Sequence, residues 1–134
     1  MQDADALLVN GGGALYLAHW MRRSGLAQVL QDLRDQVWGG LSAGSMVMAP
    51  RVGDAFIEMK PPLTGVDAAL GVVDFAIFPH RDSRSFPEDS MACARKWATG
   101  LGCPSYAIDD ETPIEGVDGT VEVVSEGHWT FFAG

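Results

Sequence analysis

Short uninterrupted apolar runs alternate along this chain with segments whose apolar positions recur at three and four residues, a pattern that predicts buried parallel strands with helices packed on them. Ala6-Leu7-Leu8-Val9 is the first run and stops at Gly11-Gly12-Gly13, as a buried strand running into a turn would. Leu15, Leu17, Ala18 and Met21 then fall at helical spacing, with Gly25 where a C-cap belongs, so residues 14–24 are expected to be helical. Leu26, Val29, Leu30 and Leu33 carry the same period through a second helical segment, and Val37 to Leu41 reads as the next strand. Pro50, Pro61 and Pro62 bracket an irregular region. Beyond it, Asp74-Phe75-Ala76-Ile77-Phe78 is a strongly apolar strand ending at Pro79-His80. Pro87 suits a helix N1 position, with the helix running through Met91, Ala94, Trp97 and Ala98 to Gly100. Tyr106-Ala107-Ile108 forms another strand and ends in Asp109-Asp110. Pro113–Val117 and Thr120–Val124 flank Asp118-Gly119, a strong hairpin signal, and Trp129, Phe131 and Phe132 mark a terminal strand. The expected architecture is α/β: a mostly parallel sheet with flanking helices and a C-terminal β-hairpin.

Composition narrows the function classes. A chain of 134 residues, 47% hydrophobic and 20% charged, can bury one core and is expected to form a single globular domain over residues 1–134. No apolar stretch approaches the roughly 18 residues needed to cross a bilayer, and no basic region followed by an apolar one stands at the N-terminus, so no membrane partner and a cytoplasmic location are expected. The formal net charge of −9 repels phosphate backbones, which excludes nucleic acid as an expected partner. Cys93 and Cys103 are too few for a disulfide framework, and no C-x-x-C or His-x-x-His spacing suggests a metal. Neither a metal nor an organic cofactor is expected.

The residues with useful chemistry stand just past the ends of the strands. In open α/β sheets ligands bind outside the carboxyl ends of the strands, and here those ends carry Gly11-Gly12-Gly13, Ser42, His80 and Asp109-Asp110. Gly40-Leu41-Ser42-Ala43-Gly44 has the G-x-S-x-G form of a turn that lifts a serine hydroxyl out of the backbone between a strand and a helix. With 16 glycines in the chain, that form alone also arises by chance. Taken together, the four strand ends supply a glycine run whose amides can face an oxyanion, a serine to attack, a histidine to take its proton and a carboxylate to orient the imidazole.

In order and approximate spacing these four motifs resemble the peptidase E (aspartyl dipeptidase) family of serine peptidases, relatives of cyanophycinase, from about Asp3 to Phe132. The resemblance implies a fold like the class I glutamine amidotransferase domain. It also implies Ser42 as nucleophile, His80 as general base and then acid, Asp110 as the acidic third member, and the backbone amides of Gly13 and Ala43 as the oxyanion hole. The substrates it implies are dipeptides with an N-terminal aspartate. Gly12 would then line the substrate site, with Arg81, Arg84 and Arg95 as candidate partners for the substrate carboxylate, or else as solvated surface charges. Ala14 stands where the family usually has asparagine. Full-length members begin with further strand–helix units that this chain lacks, so an exposed sheet edge is expected, covered most simply by a second copy in a homodimer or larger assembly.

Two other readings remain open on the residues. The chain order Ser42, Asp110, His128 matches an esterase or amidase of the α/β-hydrolase type, although that fold places several strands before the serine. A shortened homologue could instead act as a non-catalytic binding or regulatory partner. A cysteine nucleophile is disfavoured, because neither Cys93 nor Cys103 follows a strand end.

Overall fold

The computed structural model describes residues 3–57 and 67–134; Pro61 and Pro62 lie outside the described residues. The elements run in chain order as β1 (Ala6–Val9), α1 (Ala14–Arg23), α2 (Leu26–Asp32), β2 (Val37–Gly40), α3 (Ala43–Met46), β3 (Ala76–Phe78), α4 (Met91–Thr99), β4 (Ser105–Ile108), β5 (Ile114–Val117), β6 (Thr120–Val123) and β7 (Trp129–Phe132). A 3₁₀ turn, Asp54–Phe56, comes after α3.

The strands pair in three groups. β1 and β2 run parallel, Ala6 beside Val37 through Val9 beside Gly40. β3 and β4 run parallel, and β7 returns antiparallel to β4 with Tyr106 opposite Phe131. β5 and β6 form a separate antiparallel hairpin, whose turn residues Asp118 and Gly119 both take positive φ, 49° and 81°. That double left-handed turn matches the twist of the flanking strands, which is why Asp-Gly marks it in sequence. Among the described residues no ladder joins β2 to β3, and α3 bridges the two sheets instead, packing on β1, β2 and β3.

The core sits around that bridge. Ala43, Met46 and Val47 are buried in and just after α3; Ala43 and Met46 pack with Ala14 and Leu15 of α1, and Val47 packs with Ala18 and Met21. On the other side Ala76, Phe78 and Ala107 of the β3–β4 sheet meet Ala94, Trp97 and Ala98 of α4. Phe56, Phe78 and Trp97 stack edge to face, their ring centroids 5.4–6.4 Å apart, and the indole N–H of Trp97 donates to the Val52 carbonyl at 2.7 Å. This buried indole thereby keeps its polar group satisfied.

One boundary differs from expectation. α4 begins at Met91 and is capped by Ser90, whose hydroxyl accepts the Cys93 amide at 3.3 Å, so Pro87 lies in the preceding turns and not at N1. A serine N-cap satisfies an orphan amide, an advantage that Pro87, set in a run of reverse turns, cannot offer.

Candidate active site

Ser42 sits at the sharpest point of the backbone. Its φ of 54° and ψ of −119° lie outside the regions open to ordinary side chains, between the last residue of β2 and the first turn of α3. The glycines around it make the turn possible. A Cβ on Gly40 would overlap the carbonyl of Gly44, and a Cβ on Gly44 would overlap the carbonyl of Val9, so strand and helix cross closer than any side chain allows. The Leu41 amide donates to the Val9 carbonyl at 2.8 Å, and the Ser45 hydroxyl donates to the Ser42 carbonyl at 2.6 Å. Strain of this kind persists only where surrounding contacts over-determine it.

The glycine run lies against the serine. A Cβ placed on Gly11 would stand 3.4 Å from Ser42 Cβ and 3.6 Å from Ser42 Oγ. Gly12 takes a φ of 131°, and Gly13 is the N-cap of α1. Ala43 is the first residue of α3. The Gly13 and Ala43 amides thus stand at helix starts, where a backbone N–H has no intrahelical acceptor.

His80 lies two residues past β3 in a left-handed conformation, φ 57°. Its Nδ1 lies 2.6 Å from Oδ1 of Asp110, two residues past β4. The two strand ends are tied by backbone as well, since the Arg81 amide donates to the Ile108 carbonyl at 2.9 Å. Hydrogen bonds from His80 and from the Ser83 hydroxyl, with the His80 charge, hold the Asp110 carboxyl below the usual carboxylate range against the opposing effects of desolvation and of Asp109. The His80 ring is mostly buried, and among the described residues nothing hydrogen-bonds its Nε2.

The structure therefore joins the predicted residues in two pairs, Ser42 with the glycine run and His80 with Asp110. No hydrogen bond links Ser42 Oγ to His80 in this structure. Catalytic hydrogen bonds of free enzymes are often long and tighten only when substrate binds.

Asp109 does separate work. Desolvation raises its pKa, but hydrogen bonds from the Thr112 hydroxyl (2.6 Å), the His128 amide and the Glu111 amide (3.1 Å) outweigh that and hold it below the usual range. Gly127 packs so closely that a Cβ there would overlap the Asp109 carboxylate. Asp109 thus clasps both ends of the 111–127 excursion. His128 is 82% exposed, and its imidazole faces Asp109 at 3.7 Å, so Asp110 pairs with His80 and not with His128 as the α/β-hydrolase order would require.

Beside Asp110 opens a cleft of about 450 Å³, lined by Arg81–Ser85, Asp109–Glu111 and His128. Arg81 is largely buried and committed: its guanidinium bonds Thr130 Oγ1 at 3.0 Å and pairs with Asp82 at 3.2 Å. Arg84 lines the cleft as an exposed cation. Arg95 lies on the exposed face of α4 and does not line it, because Ala94, Trp97 and Ala98 turn the opposite face into the core. Ser42 and the glycine run do not line this cleft either. Sequence reasoning missed Ser83, which bonds Asp110, and Phe86, whose ring stacks on His80 with centroids 4.2 Å apart and planes 22° from parallel. Both lie in the irregular loop after β3, where no periodicity flags them.

Comparison with known proteins places this geometry in context. A sequence profile described as peptidase family S51 matches residues 1–124. The chain is 28% identical over 116 residues to an uncharacterised peptidase of Pasteurella multocida, covering 82% of this chain and 55% of that protein. It is 30% identical over 91 residues to the peptidase E of Shewanella oneidensis, covering 65% of this chain and 37% of that one. Among solved structures, a candidate peptidase E from Listeria monocytogenes superposes with a TM-score of 0.74 at 22% identity, over 94% of this chain and 62% of the other. That likeness shows the α/β fold. The chain spans about half the length of the first of these sequence relatives and less of the second.

Proposed function

From the premise that this chain belongs to peptidase family S51, we propose that it is a serine peptidase acting on short peptides by an acyl-enzyme mechanism. Ser42 Oγ attacks the scissile carbonyl carbon while His80 Nε2 takes its proton. The oxygen of the tetrahedral intermediate becomes an anion and accepts from the amides of Gly13 and Ala43. The intermediate collapses, the C–N bond breaks, and His80 returns the proton to the departing amine. Water, deprotonated by the same imidazole, then cleaves the ester and frees Ser42. Asp110 holds the ring with Nδ1 protonated, leaving Nε2 as the base.

The observation that carries this reading is the 2.6 Å His80–Asp110 pair, which engages Nδ1 and leaves Nε2 as the nitrogen open to act as base. The elbow at Ser42 and the glycines packed on it support the same reading. For specificity we propose dipeptides with an N-terminal aspartate, with Arg84 as the cation for the carboxylate, since Arg81 is already bonded. The acting species is proposed to be a cytoplasmic homodimer or larger assembly.

A fluorophosphonate probe tests the mechanism, because covalent capture requires an activated hydroxyl. Labelling at Ser42, abolished in Ser42→Ala and strongly slowed in His80→Ala, is the expected result. Ser42→Ala and His80→Ala should each lower the turnover of aspartyl dipeptides by about a thousandfold or more with circular dichroism unchanged. Full activity in His80→Ala rejects the triad, and equal rates with and without N-terminal aspartate reject the specificity.

A further inference from the structure

We propose that Phe86 is a positioning residue for His80, a role that rests on reading His80 as the proton carrier. The His80 ring is held on one edge by Asp110, 2.6 Å from Nδ1, and covered on one face by Phe86, stacked at 4.2 Å and 22°. One hydrogen bond at Nδ1 holds that edge of the ring but still permits the plane to rock about χ1 and χ2. A flat partner on its face restricts that rocking and sets the direction in which Nε2 points.

The loop carrying Phe86 is built to hold it there. From His80 onward successive turns close on one another, with Ser83 N–H donating to the His80 carbonyl at 2.9 Å, Phe86 N–H to the Ser83 carbonyl at 3.2 Å and Asp89 N–H to the Phe86 carbonyl at 2.9 Å. The loop's far side is pinned where Asp82 N–H donates to the Asp89 carbonyl at 2.7 Å and Asp82 Oδ1 accepts the Met91 amide at 2.9 Å. Phe86 is 39% exposed, so core filling does not account for its place. Its inner face covers one side of the His80 ring, whose Nε2 is buried with no hydrogen-bond partner among the described residues. A base kept dry gives up no solvent bond when it takes a proton from a serine.

The test compares Phe86→Leu, which keeps apolar bulk and loses the flat face, with Phe86→Tyr, which keeps the face. NMR of the His80 ring Cε1–H reports the stacking through its ring-current displacement. That displacement is expected in the parent and in Phe86→Tyr and should vanish in Phe86→Leu. With aspartyl p-nitroanilide as probe, Phe86→Leu should lose about tenfold in kcat with KM nearly unchanged, and Phe86→Tyr should stay close to the parent. Equal kcat in all three, or recovery in Phe86→Met as complete as in Phe86→Tyr, overturns the proposal. An unchanged His80 resonance in Phe86→Leu overturns it even if no peptide is turned over, so its failure is separate from failure of the peptidase reading.

Discussion

Adjacent residues at one strand end divide two jobs. Asp110 binds the imidazole and Asp109 binds the chain, and both carboxyls are held below the ordinary carboxylate range by the hydrogen bonds they accept. A carboxyl whose folded pKa is depressed contributes stability that is complete above its unfolded value, about 3.9, and is lost as pH falls through the folded value. Asp89 works in the opposite sense. Burial and the neighbouring Glu88 charge raise its pKa despite the lowering effect of His80, so its contribution is present at low pH and lost as pH rises through the folded value. The part of the stability that Asp109 and Asp110 supply should therefore hold near neutrality and fall below about pH 4, which urea midpoints measured across pH would show. Asp109→Asn should flatten that fall and lower the neutral plateau by about 2 kcal/mol, since one oxygen can no longer accept from the His128 amide. Ser105 offers a contrasting case. Its hydroxyl is fully buried in β4 and has no hydrogen-bond partner among the described residues, so Ser105→Ala should be neutral or stabilise by up to about 1 kcal/mol in the same urea titrations.

At the scale of elements, the crossing of β1, β2 and α3 is where a small change costs most. Gly44→Ala drives a methyl group into the Val9 carbonyl, backbone against backbone, with no flexible side chain to yield. The expected loss is about 3 kcal/mol or more in chemical denaturation, together with loss of fluorophosphonate labelling, because opening the crossing moves the Ser42 turn. Gly116→Ala, where nothing stands within 4 Å of the added carbon, serves as the control. This crossing was legible in the chain itself, since Gly40, Ser42 and Gly44 have the spacing that such a turn demands. The apolar runs 6–9 and 106–108 and the Asp118-Gly119 turn were legible as well, each a local signal with a local cause, but β1 is not the buried strand its apolar run predicts, because Ala6 and Leu8 turn to the exposed face. What escaped were features settled between distant segments. The start of α4 at Met91 depends on a Ser90 cap that competes with Pro87, the antiparallel return of β7 depends on the Asp109 clasp, and the Phe86–His80 stack depends on nested turns. None of these leaves a period in the sequence.

At the scale of the whole molecule, apolar surface is left uncovered on both sheets. Leu8 is 85% exposed on β1, and Val37 and Leu41 are exposed beside it. Tyr106, Trp129 and Phe131 form an aromatic row on the β4–β7 face, with Trp129 and Phe131 both exposed. β7 pairs with β4 alone among the described strands, and Trp129–Phe132 carries no charge to guard its open edge. A strand edge of this kind is complementary to itself, because two copies related by a twofold axis pair antiparallel and bring their aromatic rows together. Opposing this is the charge of −9 on each copy. The two effects respond differently to salt. Repulsion is screened as the Debye length falls from about 10 Å at 0.1 M to about 3 Å at 1 M, whereas apolar burial is not weakened. Light scattering coupled to gel filtration should therefore show association that strengthens with added sodium chloride, and Trp129→Lys with Phe131→Lys should return the chain to monomer at every salt concentration. A parent chain that stays monomeric in 1 M salt at high concentration excludes a second copy as the cover for this edge.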